Sequence, residues 1–362
     1  MSRIIVSPSK YIQGAGELKN ICSHIGGLGD SFFVISSPSG LKRFQKTVEE
    51  SFEGSGKKLY FEGFNRECTK KEIERLKGIA AECGANVIVG IGGGKTLDTA
   101  KCVAEASYFP VAIVPTIAST DAPTSACSVI YNEDGTVDGA VYFRKNPDIV
   151  LVDSEVVVNA PVRLLVSGMG DALATYFEAR ACMRANTLNC SKGNCSKAAM
   201  AIAELCYETL LSDGFMAKCA AQSHVCTKAV ENIIEANTYL SGIGFESGGL
   251  AAAHAVHNGL TAIPETHNFY HGEKVAFGTI VQLVMEGAPE EELFEVIDFC
   301  KRVGLPSSLA DLGIDPADDR LKMAAKLAVK EDETIHNMPF KVTDEMVYTA
   351  IIAADAISKS LE

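Results

Sequence analysis

The sequence predicts an α/β domain built on parallel strands, followed by an all-α domain. Three observations carry this reading. Up to about residue 155, short β-branched runs alternate with stretches that are apolar at helical spacing, the pattern of strands joined by crossover helices. Within 87–101, one such run ends in packed glycines and a polar helix start. After Asn159-Ala160-Pro161 the strand signal nearly vanishes and helical periodicity takes over. The expected division is therefore 1–160 and 161–362, with a hinge near Pro161 and a site in the cleft between the two parts.

Met1-Ser2-Arg3-Ile4-Ile5-Val6-Ser7-Pro8 has neither the apolar core nor the small-residue cleavage site of a secretion signal, and it reads as a first strand. Phe32-Phe33-Val34-Ile35, Lys58-Leu59-Tyr60-Phe61, Val87-Ile88-Val89 and Val111-Ala112-Ile113-Val114 follow as short apolar runs that read as strands. Between them lie helical stretches such as 70–83, where Ile73, Leu76, Ile79 and Ala80 share one face. Ser128-Val129-Ile130-Tyr131 and Gly139-Ala140-Val141-Tyr142-Phe143 flank Asn132-Glu133-Asp134-Gly135, a β-hairpin turning at Asp134-Gly135. Asp148-Ile149-Val150-Leu151-Val152 reads as the last strand. Beyond it, 200–211, 227–240, 274–285 and 344–358 are apolar at helical spacing.

Composition narrows the function. The net charge of −13 argues against a nucleic-acid partner, because phosphate binding needs a basic face. No run of apolar residues is long enough to span a membrane. The 12 cysteines are scattered without a Cys-x-x-Cys, so they read as reduced, small apolar residues in a cytoplasmic chain rather than as disulfides or a zinc cluster.

The segment Val87-Ile88-Val89-Gly90-Ile91-Gly92-Gly93-Gly94-Lys95-Thr96-Leu97-Asp98 is the most informative. Glycines let the backbone approach a ligand, and the following helix points unpaired N–H groups and its positive end at that spot. An anionic ligand, most simply a pyrophosphate, belongs there. The spacing is neither the Gly-x-Gly-x-x-Gly fingerprint nor a P-loop. Without a ligand the segment would be only a tight strand-to-helix turn.

Four of the seven histidines fall within 254–271: His254, His257, His267 and His271. Neutral imidazole is the commonest ligand for zinc and similar ions. Two such histidines on neighbouring helices need an anionic third ligand, and Asp171, after Gly168-Met169-Gly170, supplies a candidate at or near a helix start. Spacing alone does not choose between His254 and His257, or between His267 and His271. A capping role for Asp171 is the competing reading.

At this point the residues resemble a family. Gly92-Gly93-Gly94-Lys95-Thr96-Leu97-Asp98, Pro115-Thr116-Ile117-Ala118-Ser119-Thr120-Asp121-Ala122-Pro123-Thr124-Ser125, His254-Ala255-Val256-His257-Asn258-Gly259 and His271-Gly272-Glu273-Lys274-Val275-Ala276-Phe277-Gly278 together are similar to the iron-containing alcohol dehydrogenase family, and within it to the glycerol dehydrogenases. The resemblance runs from Ser7-Pro8-Ser9-Lys10-Tyr11 to His336-Asn337-Met338-Pro339-Phe340. It implies the dehydroquinate synthase-like plan of an N-terminal dinucleotide-binding domain and a helical C-terminal domain. It also implies one zinc ion per subunit on Asp171, His254 and His271, and a polyol pocket lined by Asp121 and Phe245. Gly93, Gly94, Lys95, Asp98, Thr116, Ser119, Ser125, Cys127 and Tyr131 then lie where relatives contact NAD. Ser37 stands about where many NAD-using relatives place an aspartate on the adenosine ribose. Thr175 stands where iron-using relatives have a further histidine, and its presence leaves an open coordination position. The implied reaction is oxidation of glycerol to dihydroxyacetone with NAD as hydride acceptor, in a homo-oligomer, often an octamer in this family.

Other readings compete. A dehydrogenase of another small vicinal diol or of a 2-hydroxy acid fits the same motifs, though a hydroxy acid calls for a basic pocket residue. A lyase of the dehydroquinate synthase type needs basic residues near the metal, and the stretch from His254 to His271 contains none. A non-catalytic nucleotide-binding protein would not need Asp121 and the metal-ligand set together.

Overall fold

Alternating apolar residues decide the first half. The chain, described here from a computed structural model over residues 2–361, opens with β1 (Lys10–Gly14) and the short α1 (Ile21–Ile25). Then β2 (Ser31–Ser36), α2 (Pro38–Phe52), β3 (Lys58–Gly63), α3 (Lys70–Glu82), β4 (Val87–Gly92), α4 (Gly94–Ser107) and β5 (Val111–Pro115) follow. A hairpin of β6 (Cys127–Tyr131) and β7 (Val137–Tyr142) precedes β8 (Ile149–Asp153) and α5 (Ser154–Val158).

Six strands form one parallel sheet in the order β1-β8-β5-β4-β2-β3. Side chains of a strand alternate between faces, and both faces are covered. Phe32, Val34, Val87, Val89, Val114 and Leu151 pack with Val48 and Phe52 of α2 on one side. Phe33, Ile35, Ile88, Ile113 and Val150 pack with Leu76 of α3 and Leu97 of α4 on the other. The hairpin stands outside this sheet as a separate antiparallel pair, with Gly135 at φ +85° in its turn.

One strand expectation is corrected. Residues 4–8 form no strand; Arg3 makes an isolated bridge to Asn194 and Val6 N–H donates to Ser247, so the N-terminal segment runs across the helical half. The true first strand is Lys10–Gly14. Its single apolar residues, Tyr11 and Ile12, give almost no period-two signal.

The second half comprises α6 (Val162–Ala185), α7 (Lys197–Gln222), α8 (Lys228–Glu235), a π-turn at Ala236–Leu240, α9 (Ser241–Gly248), α10 (Ala252–Leu260), α11 (His271–Glu286), α12 (Glu290–Val303), α13 (Arg320–Ala328) and α14 (Asp344–Ser360). No strand occurs after β8 among the described residues. At the centre lies α6, packed by α7, α9 and α11 and carrying the fully buried Leu173 and Phe177. No helix among the described residues is long and apolar enough to cross a membrane. All twelve cysteines are unpaired thiols.

Candidate active site

Asp171 sits in the middle of α6, not at its start, and is almost wholly buried. Pro161 begins the helix instead, so Asp171 has no free N–H groups to cap. Its side chain meets His254 in the first turn of α10 and His271 at the first position of α11. One ligand atom from each of the three lies within 4.8 Å of the others. His267, by contrast, is exposed and bonds Thr261 O at 2.9 Å, well apart from this group.

The partners of the two imidazoles fix their tautomers. His254 Nδ1–H donates to Glu178 Oε2 at 2.6 Å, so Nε2 is left with its lone pair. His257 Nδ1–H donates to Asn258 Oδ1 at 3.0 Å, which makes its Nε2 an acceptor for His271 Nδ1–H at 3.1 Å. His271 Nε2 is therefore also unprotonated. These two nitrogens stand 3.4 and 3.0 Å from Asp171 Oδ1, a buried oxygen that accepts no hydrogen bond. Two lone pairs facing an orphaned carboxylate oxygen are repulsive unless a metal ion or a proton lies between them. Two imidazole nitrogens and one carboxylate oxygen fit a zinc ion and a ferrous ion alike. Without a cation, burial opposes a proton on His254 but Glu178 and Asp171 overcome that cost and raise its pKa. A metal and this proton compete for one lone pair.

Asp121 comes from the other half of the chain. The loop after β5 carries it to α6, where its backbone N–H donates to Asp171 Oδ2 at 3.3 Å. Ser241 Oγ donates to Asp121 Oδ2 at 2.9 Å. Phe245 is one turn after Ser241 on α9 and is nearly buried. Burial, with Asp171 adding to it, raises the Asp121 carboxyl well above the usual range, and His254 opposes this.

The residues expected at the cofactor lie mostly at the carboxyl ends of β2, β4 and β5. The chain leaves β2 toward β3 and leaves β4 toward β5, so these two adjacent strands flank a topological switch point, where open α/β sheets bind ligands. Gly93 and Gly94 begin α4 there, with no side-chain cap on its first N–H groups. Gly90 allows the helix to sit close, since a Cβ would meet Ala100 Cβ at 2.6 Å. Ser37 caps α2 across the switch point, accepting from Gly40 N–H at 3.0 Å. Lys95 bonds Glu67 at 2.6 Å and lies over the Tyr131 ring. Thr116 and Ser119 begin the loop that bears Asp121.

Asp98, Ser125 and Cys127 have a second occupation. Asp98 accepts from Val129 N–H at 3.1 Å and pairs with the buried Lys101 at 3.0 Å. Lys101 Nζ also donates to Ala122 O at 2.8 Å and to Cys127 O at 2.5 Å. Ser125 Oγ bonds Ala122 O at 3.3 Å and accepts from Cys127 Sγ at 3.3 Å. These groups hold the Asp121 loop against α4. Sequence reasoning missed Glu178, Lys101 and Ser241. Glu178 had a signal: it lies two turns after Asp171 on the same face of a helix.

Comparison with known proteins places the chain among its relatives. Residues 8–154 match the family model described as iron-containing alcohol dehydrogenase. A glycerol dehydrogenase of Escherichia coli O6:H1 is 54% identical, over 98% of this chain and 97% of that protein. A glycolaldehyde reductase of Halobacterium salinarum is 45% identical, over 99% of both. The crystal structure of a probable glycerol dehydrogenase from Sinorhizobium meliloti superposes with a TM-score of 0.93 at 43% identity, covering all of both chains.

Proposed function

Because the chain belongs to the iron-containing alcohol dehydrogenase family of oxidoreductases, we propose that it oxidises glycerol to dihydroxyacetone, with NAD as hydride acceptor and a zinc ion on Asp171, His254 and His271. The observation that carries this reading is the placement of Asp121 beside the triad. A cation there supplies Lewis acidity that lowers the pKa of a bound alcohol, and NAD supplies the hydride acceptor. The chain's own residues supply the rest. Glu178 and His257 orient the two imidazoles. Asp121, an acceptor when ionised, binds a hydroxyl next to the one that reacts. Phe245 gives the pocket an apolar wall that excludes water. Gly93, Gly94, Lys95, Thr116, Ser119, Ser125, Cys127 and Tyr131 line the path of the dinucleotide from α4 to the Asp121 loop, with Asp98 behind them and Ser37 at the ribose.

Zinc is favoured over iron because Thr175, which stands where iron-using relatives place a further histidine, offers no imidazole and turns its hydroxyl to Ser241. A cytoplasmic homo-oligomer belongs to the same reading; the free thiols support the first and gel filtration tests the second.

The 45% identical glycolaldehyde reductase favours a second substrate class, the interconversion of a small hydroxyaldehyde and its vicinal diol. A 2-hydroxy acid is disfavoured, since its carboxylate would face Asp121 and no Lys or Arg among the described residues hydrogen-bonds to Asp121 or the triad. NADH formation with a panel of diols, glycolaldehyde reduction and hydroxy-acid oxidation separates these readings.

A further inference from the structure

We propose that Thr175 and Ser241 form a hydroxyl relay that fixes the Asp121 carboxylate for the substrate, which makes both of them substrate-positioning residues. The proposal rests on the reading that Asp121 receives a substrate hydroxyl.

The relay crosses three elements. Thr175 on α6 lies 2.9 Å from Ser241 Oγ on α9, and Ser241 Oγ lies 2.9 Å from Asp121 Oδ2 in the loop after β5. A hydroxyl carries one proton. When Asp121 is ionised, as its role as an acceptor for substrate requires, Ser241 donates its proton to the carboxylate and Thr175 donates to Ser241. Both hydroxyls are fully buried, so removing one leaves its partner's hydrogen-bonding group unsatisfied. Oδ2 is thereby held, and Oδ1 is left for a ligand.

The backbone is shaped to bring these groups together. The π-turn at Ala236–Leu240 ends immediately before Ser241. Thr124 Oγ1 donates to Thr238 O of that turn at 3.0 Å, which docks the Asp121 loop on it. At Gly242, a Cβ would lie 1.8 Å from Thr124 Oγ1 and 3.1 Å from Asp121 O. Any other residue there would push the loop off α9. π-Turns concentrate at functional sites, where they re-aim the residues that follow.

Thr175 stands one helical turn after the metal ligand Asp171, on the same face of α6. Its hydroxyl is occupied by Ser241 rather than by the triad. The relay therefore joins the helix of the metal ligand to the substrate carboxylate, and it orients a group that the triad does not touch through side chains.

The test compares Ser241→Ala, Thr175→Val and Thr175→Ser with the parent enzyme. It uses steady-state kinetics with glycerol and NAD, metal content per chain, and the rise in thermal midpoint produced by saturating glycerol. A hydrogen bond to a charged group is worth about tenfold or more in affinity. Ser241→Ala is expected to raise the KM for glycerol about tenfold, with a smaller change in kcat, and to reduce the glycerol-induced thermal shift. Its metal content and KM for NAD should stay at the parent values. Thr175→Val should move the same quantities in the same direction but less. Thr175→Ser keeps the donor and should restore them. The double variant Ser241→Ala/Thr175→Val should match Ser241→Ala alone, since both act through one bond. Parent-like glycerol KM in Ser241→Ala, or a Thr175→Ser variant as impaired as Thr175→Val, overturns the relay. A parent enzyme inactive on glycerol overturns the functional reading instead, before any variant is made.

Discussion

The carboxylate of Glu178 holds His254 Nδ1 at 2.6 Å and also accepts from the backbone N–H groups of Ala251 and His254. A fully buried charge thus sets which nitrogen of a neighbouring imidazole keeps its lone pair. Glu178→Gln keeps the size and the oxygen for the two backbone groups. Its amide N–H₂ would face His254 Nδ1 and favour the tautomer protonated on Nε2. Metal affinity should fall about 10–100-fold, read by titration of the apoprotein with zinc. Unchanged affinity would show that the tautomer is fixed by something else.

The four histidines should separate into classes. His254→Ala and His271→Ala should each abolish bound metal. His267→Ala should leave it unchanged, because His267 bonds only Thr261 O at the surface. His257→Ala should weaken it less than loss of a ligand, since it removes the acceptor that orients His271. Metal content after dialysis distinguishes the three outcomes, and a His271→Ala protein at full occupancy would refute the ligand set.

Asp121→Asn removes the charge while keeping the shape. The expected result is a fall in kcat/KM for glycerol of about tenfold or more, with metal content and NAD binding intact. Loss of metal and cofactor together would mean that Asp121 holds the structure and not the substrate.

Buried Lys101 makes a stability prediction. It pairs with Asp98 at 3.0 Å, and both side chains are almost inaccessible. Burial opposes its charge, but Asp98 raises its pKa above the ordinary value, so it is a cation in the fold. Lys101→Met leaves Asp98 buried without its partner and should cost about 3–5 kcal/mol in denaturant unfolding. Adding Asp98→Asn should recover part of that loss. A Lys101→Met protein as stable as its parent would show that the pair contributes nothing.

Ser37 bears on the choice of dinucleotide. It lies just past β2 beside the glycine turn, with Lys42 and Arg43 in the helix it caps. Serine bonds a ribose hydroxyl but carries no charge to reject a 2′-phosphate. Aspartate caps a helix as well as serine does, so Ser37→Asp should fold normally. It should move the ratio of kcat/KM for NAD over NADP toward NAD by about tenfold, within the usual range of coupling between sites. An unchanged ratio would place the ribose elsewhere.

The α/β half was legible because each buried strand is a dense β-branched run, as at Val87-Ile88-Val89. Lys10–Gly14 was not, because an edge strand with two apolar residues carries almost no strand signal, while Ile4-Ile5-Val6 is a β-branched run and forms no strand. The four histidines of 254–271 were legible as a metal cluster, but spacing did not choose among them; the family resemblance pointed to His254 and His271, and in the fold His271 faces Asp171 while His257 stands behind it. Asp171 was legible as the anionic ligand, but its place was not: Gly168 and Gly170 before it suggested a helix start, and it lies in the middle of α6. Those glycines instead admit close neighbours: a Cβ at Gly170 would meet Gly272 O at 2.3 Å. Ser241 and Lys101 gave no signal at all, since their roles depend on contacts across more than a hundred residues and on a loop that folds back on α4.

Metal-dependent reduction of NAD by glycerol is the decisive measurement for this enzyme. The purified enzyme is assayed by NADH absorbance, stripped with a chelator to less than a tenth of its metal, assayed again, and reloaded separately with zinc and with ferrous iron. Glycerol oxidation is expected before stripping, with loss in proportion to the metal removed and recovery with zinc. Full activity in the stripped enzyme, or no NADH from glycerol at any metal loading, would contradict the proposed function.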